Sequence, residues 1–82
     1  MAQISSMVID QTLDITRDVC PMTFVRTRLA LDRLAPGQVL MVLLRGDEPI
    51  RNVPATARQL GHEVLAETVL PDGGMELILR RA

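Results

Sequence analysis

The 82-residue chain has room for one small domain with a single core, and its lone cysteine, Cys20, excludes an intramolecular disulfide. Hydrophobic residues make up 48% of it, yet only Phe24 is aromatic, so the core has to be built from Leu, Val, Ile and Met. A formal net charge of -1, with nine arginines and ten acidic residues spread along the chain, excludes bulk attraction to nucleic acid or an anionic membrane.

Residues 1–10 hold Ile4, Met7, Val8 and Ile9 without a clear period and read as an N-terminal tail, which leaves 11–82 as the domain. From Gln11 to Thr16, Leu13 and Ile15 alternate with Asp14 and Thr16, the pattern of a half-buried strand. Between Pro21 and Leu34, Phe24, Thr27, Leu31 and Leu34 keep helical spacing and form the face toward a sheet. Met22, Val25 and Leu29 fall on a second arc. Pro36-Gly37 stops this helix, and Gln38 to Arg45, with Val39 to Leu44 apolar on both alternations, reads as a central strand covered on both faces, the second by the tail or a partner. Gly46-Asp47-Glu48-Pro49 is a turn. The two prolines that follow predict irregular structure through Asn52 and a helix from about Val53, with Pro54 in its first turn, to Leu60, stopped by Gly61. Glu63 to Val69 is a strand, Pro71-Asp72-Gly73-Gly74 a hairpin turn, and Met75, Leu77 and Leu79 alternate through a final strand. The simplest solution for the order β-α-β-α-β-β is an α+β fold, a two-layer α/β sandwich with two helices on one face of a four-stranded mixed sheet.

The chemistry concentrates at Asp18-Val19-Cys20-Pro21-Met22-Thr23. Proline suits the first position of a helix, so Pro21 reads as that position and Cys20 as the N-cap before it. The unpaired N–H groups and the helix dipole then favour a thiolate and lower the thiol pKa from its free value of about 8.5. This predicts an exposed, nucleophilic Cys20, against the plainer reading of a lone cysteine as a small buried hydrophobe. Asp14 and Asp18 are placed to pair with Arg17 or to cap backbone groups, and Thr23 to turn its hydroxyl or N–H toward the sulfur. The stripe Met22, Val25 and Leu29, bordered by Arg26 and Arg33, starts one turn from Cys20 and reads as a docking surface for a partner. The competing reading has the helix gripped by the sheet on one side and by the tail or the second helix on the other. His62 reads as structural, and one cysteine with one histidine makes no closed zinc site, so no metal is expected.

Leu13-Asp14, Cys20-Pro21 opening a helix, Pro36-Gly37 and Gly61-His62-Glu63-Val64 resemble, in order and spacing, the TusA/SirA-like family of small sulfur-carrier proteins. The resemblance covers nearly everything after residue 11. The family motif C-P-x-P stands here as Cys20-Pro21-Met22-Thr23, with threonine in place of the second proline. The resemblance implies the same fold and a persulfide-forming Cys20; by their position Pro21, Thr23 and Asp18 are read as supporting it, and Met22, Val25, Arg26 and Leu29 as the partner-contacting residues. It implies a cysteine desulfurase or rhodanese-like protein as sulfur donor and a second protein as acceptor, serving tRNA thiolation, cofactor sulfuration or sulfur metabolism. Such a chain is a sulfurtransferase-type carrier, a monomer without a cofactor and without direct contact to nucleic acid or membrane. A single thiol, no apolar run near the ~18 residues of a membrane span and no positively charged leader point to the cytoplasm. The alternative, which Thr23 supports, is a non-catalytic protein-interaction or regulatory module of the same fold.

Overall fold

The computed structural model describes residues 9–19 and 22–82. Its elements are β1 (Gln11–Asp14), α1 (Met22–Asp32), β2 (Val39–Leu44), α2 (Asp47–Gln59), β3 (Glu63–Val69) and β4 (Met75–Arg80). Residues 1–8 of the expected tail lie outside the described residues, whereas Asp10 is tied to the start of β2: its N–H donates to the Val39 carbonyl at 2.9 Å, and its carboxylate accepts the Val39 N–H at 2.8 Å.

The sheet order is β1-β2-β4-β3, with β1 parallel to β2 and the other neighbours antiparallel. A parallel pair cannot be closed by a tight turn, so the chain crosses over through α1. The two-layer α+β arrangement follows from the way the strands alternate. Leu40, Val42 and Leu44 stand opposite Leu79, Leu77 and Met75, and all six are buried toward the helices. From the helix layer, Leu31, Leu34, Val53 and Ala57 close over them, with Ile15 beside the sheet. The other face of β2, with Val39, Met41 and Leu43, is only half-buried. Its second apolar alternation lies beside the half-buried Ile78 of β4, and among the described residues no further layer covers it.

Two boundaries also differ from the sequence reading. β1 ends at Asp14 instead of Thr16, because the Asp14 carboxylate turns to accept from Thr16. The second helix begins at Asp47 instead of Val53. Pro49 lies in its first turn, where a missing N–H leaves no intrahelical bond unmade, and Pro54 forfeits a single bond inside the helix. The loss is outweighed by a regular apolar stripe, Ile50, Val53, Pro54 and Ala57, that faces the sheet. Asp47 and Glu48 in the first turn complement the dipole.

The hairpin between β3 and β4 is drawn in by Gly74, where an added Cβ would lie 2.9 Å from the Leu44 carbonyl oxygen. At the other end of the sheet Arg81 binds the loop after α1. Its guanidinium donates to the Leu34 carbonyl at 2.8 Å, its carbonyl accepts the Gly37 N–H at 2.8 Å, and its N–H donates to the Gln38 carbonyl at 2.9 Å. Among the described residues no helix is long and apolar enough to cross a membrane.

With no large aromatic plates in the core, each buried leucine on the central strands is a substantial fraction of the stability. Leu77→Ala leaves a cavity between β4 and the helix layer and is expected to cost about 3 kcal/mol. A chemical denaturation midpoint within error of wild type would show that the site collapses around the smaller side chain.

Candidate functional site at the first strand-to-helix junction

The turn after β1 is built from short polar contacts. The Asp14 carboxylate accepts the Thr16 N–H at 2.9 Å and the Thr16 hydroxyl at 2.7 Å, and the Asp18 N–H donates to the Ile15 carbonyl at 3.1 Å. Ile15 is buried between these polar groups and anchors the turn to the core. The Thr16 N–H, then the Thr16 hydroxyl, then the charges of Arg17 and Arg26 stabilise the carboxylate form of Asp14, and they hold its pKa below the ordinary 3.8. Asp18 pairs with Arg26, about one turn into α1, and so links the turn to the helix. The pair is partly exposed and sets geometry more than stability.

The helix opens from Val19, whose carbonyl accepts the Met22 N–H at 2.7 Å and the Thr23 N–H at 3.3 Å. Cys20 and Pro21 lie outside the described residues, and with them the N-cap and first-position assignments. The residues on either side of that pair are open to solvent, Val19 at 73% and Met22 at 47%. Thr23 is not. It is 1% exposed, its N–H is engaged by Val19, and its carbonyl accepts the Thr27 hydroxyl at 2.8 Å. The sulfur toward which Thr23 is expected to turn lies outside the described residues.

The second arc of α1 is exposed, with Met22 at 47%, Val25 at 38% and Leu29 at 50%. The opposite side of the helix meets α2, where Phe24 and Leu31 face Val53 and Ala57. Val25 and Leu29 are thus not gripped by α2, and Arg26 stands between them on the helix with its guanidinium turned to Asp18.

Sequence reasoning treated Gly46 to Pro49 only as a turn. The fold places it beside Asp18 and Val19, across an open depression that Arg45, Asp47 and Glu48 also line. Gly46 permits this sharp entry to α2 with φ of 101°. The β3–β4 hairpin comes to the same end, where Arg45 pairs with Asp72 at 2.6 Å. The usable signal was topological, since two parallel strands each followed by a helix must open both strand-to-helix turns at one end. His62 is at the other end, where its Nδ1 accepts the Ala82 N–H at 3.1 Å next to the Glu63 and Arg80 pair.

The family model described as Sulfurtransferase TusA matches residues 11–81. The chain belongs to the TusA family. A candidate sulfur carrier protein of Archaeoglobus fulgidus is 32% identical over 72 residues, 88% of this chain and 82% of its own. A candidate sulfur carrier protein of Thermotoga maritima is 39% identical over 57 residues, 70% of this chain and 72% of its own. The crystal structure of a SirA-like protein from Desulfitobacterium hafniense superposes with a TM-score of 0.76 at 27% identity, covering 85% of this chain and 95% of that one. TusA family membership therefore accounts for the fold over all six described elements, and the matched span contains the Asp18 to Thr23 junction.

The depressed Asp14 pKa gives a check on the turn. The fold binds the ionised form, so this contribution to stability is complete above the unfolded value of 3.8 and is lost as pH falls through the lower folded value. Thr16→Ala removes the hydroxyl bond and keeps the backbone one, so the Asp14 carboxyl midpoint followed by NMR is expected to rise toward 3.8 without reaching it. An unchanged midpoint would assign the whole shift to the backbone N–H and the nearby arginines.

Proposed function

We propose that this chain is a sulfur carrier that holds sulfane sulfur as a persulfide on Cys20. The observation that carries the reading is the position of Cys20 in the family-matched span, between the exposed Val19 and Met22 at the opening of a helix. In the step envisaged, the Cys20 thiolate attacks the terminal sulfur of a donor persulfide. A sulfur–sulfur bond forms on Cys20, the donor's breaks, and the donor thiolate leaves with the electron pair, so there is no net oxidation. Thiolate character and access set the rate of such an attack, and a helix N-terminus favours the first. Because Cys20 is the only cysteine, the persulfide cannot collapse into an internal disulfide before transfer. Relatives that carry the name of sulfur carrier support the same reading. Asp18 acts in it as a positioning residue through Arg26. The donor is a cysteine desulfurase or rhodanese-like protein and the acceptor a second protein. The chain works as a monomer in the reducing cytoplasm.

The second reading, a non-catalytic interaction module, is favoured by one observation: position 23 has a threonine that is built into the core side of α1. Loading separates the two. Incubated with a small-molecule sulfane donor, the wild type is expected to gain the mass of one sulfur atom, reversible by a thiol reductant, and Cys20→Ser to gain none. Failure of the wild type to load from several donors that load Thr23→Pro would hand the function to the interaction module.

The exposed stripe Met22, Val25 and Leu29 is the surface proposed to receive the donor protein, with Arg26 at its rim. A charge placed at its centre has to be desolvated on docking. Val25→Glu is therefore expected to reduce persulfide transfer from a protein donor about tenfold or more while leaving loading from the small-molecule donor intact. Equal transfer from the protein donor would remove the stripe from the docking site, and an unfolded variant would make Val25 part of the core.

A further inference from the structure

A groove lies between α1 and β1, at one edge of the sheet. Its floor is Leu13, Leu29 and Ala30, Gln11 lies at one margin, and Arg26 and Arg33 stand over it with no carboxylate among the lining residues. Its volume, about 190 Å³, is below the ~300–1,000 Å³ of small-molecule pockets and suits side chains entering from a flat partner. β1 forms the other wall and is an edge strand, paired only to β2 among the described residues.

The two edges of the sheet differ in a way that matters for strand addition. On β3, Glu63 and Glu67 are paired with Arg80 and Arg58, and the strand is irregular between Val64 and Ala66. Charged side chains and bulges are the usual devices that discourage an added strand. β1 runs in unbroken register from Gln11 to Asp14, and the charge beside it is cationic and incompletely used. Arg33 is exposed and forms no ion pair among the described residues, while Arg26 has one carboxylate, that of Asp18.

From this we infer that the groove receives an extended acidic segment of a partner protein, added as a strand beside β1. Main-chain bonds to the edge of β1 that is unpaired among the described residues supply affinity, and alternate side chains of the added strand point over the groove. Arg26 and Arg33 are seven residues apart on α1, a rise of about 10 Å. Carboxylates four residues apart on one face of a strand are about 13 Å apart, within reach of two flexible guanidinium groups, and leave an aliphatic side chain between them for Leu13 and Leu29. The matching pattern is Glu-x-Leu-x-Glu. A nucleic-acid strand fits less well, since no aromatic residue lines the groove for base stacking. The surface extends the docking role proposed for α1, on which it rests for the presence of a partner protein, and gives that partner a chemistry.

The test is an NMR titration of the full chain with the capped peptide Glu-Thr-Leu-Thr-Glu, with its lysine counterpart Lys-Thr-Leu-Thr-Lys, and with oligouridylate. The acidic peptide is expected to shift the amides of Gln11 to Asp14, Leu29, Ala30 and Arg33, the lysine peptide to leave them unmoved, and Arg33→Glu to weaken the acidic peptide at least tenfold. Equal response to both peptides, shifts confined to Met22 and Val25, or tighter binding of oligouridylate at the same amides would overturn the inference. No sulfur transfer enters this readout. A negative titration therefore removes the groove without touching the carrier reading, and a Cys20 that does not load removes the carrier reading without touching the titration.

Discussion

Parallel pairing of β1 with β2 is the constraint from which the rest of the molecule follows. Two parallel strands in one layer force a crossover helix between them and send both strand-to-helix turns to the same end. Because β4 runs antiparallel to β2, the β3–β4 hairpin arrives there too, and the Arg45–Asp72 pair closes it against the end of β2. One end of the sheet thus gathers the openings of both helices. The opposite end takes the loop after α1, His62 and the last residues, fastened by Arg81. Val19 and Met22 are in this way kept at the end of the sheet opposite Asp10 and the start of β2.

The core that holds this frame is almost wholly aliphatic. Leucines and valines of β2 and β4 meet in register, and the helices contribute Leu31, Leu34, Val53 and Ala57. The sheet-facing side of α1 also has two threonines, Thr23 and Thr27, both buried, and the Thr27 hydroxyl is satisfied by the Thr23 carbonyl. Back-bonding of this kind lets a polar residue sit on an apolar face without an unpaired group. Met22, Val25 and Leu29 are on the side away from the core, while Leu31 joins it.

Much of this was legible before any coordinates. Strand alternation at Met75, Leu77 and Leu79 marks the buried side of β4, the helical spacing of Phe24, Thr27, Leu31 and Leu34 marks the core side of α1 with Phe24 only half-buried, and the periodicities and breakers in chain order give the sequence of elements. The start of α2 was not, because Pro49 and Pro54 were weighed as breakers, while the stripe Ile50, Val53, Pro54 and Ala57 that outweighs them was already in the sequence. The solvent-facing arc of α1 was legible as an arc, and its exposure was settled by where α2 packs. At the site, the Asp18 to Arg26 pair spans eight residues and the depression joins two turns that are distant in sequence, so neither has a local pattern. The burial of Thr23 likewise has no local signal: its place in the motif suggests chemistry, and the helix turns it to the core.

The two donors at the Val19 carbonyl bear on how this family varies. Met22 and Thr23 share that acceptor, and the Met22 bond is the shorter, at 2.7 Å against 3.3 Å. A proline at position 23 removes only the longer bond, so the acceptor stays satisfied and the first turn keeps its winding. Threonine and proline are also neighbours in the genetic code, joined by a single base change. Exchange of threonine for proline at position 23 is therefore compatible with this opening of α1, and the burial of the side chain makes core packing a second constraint on which residue stands there.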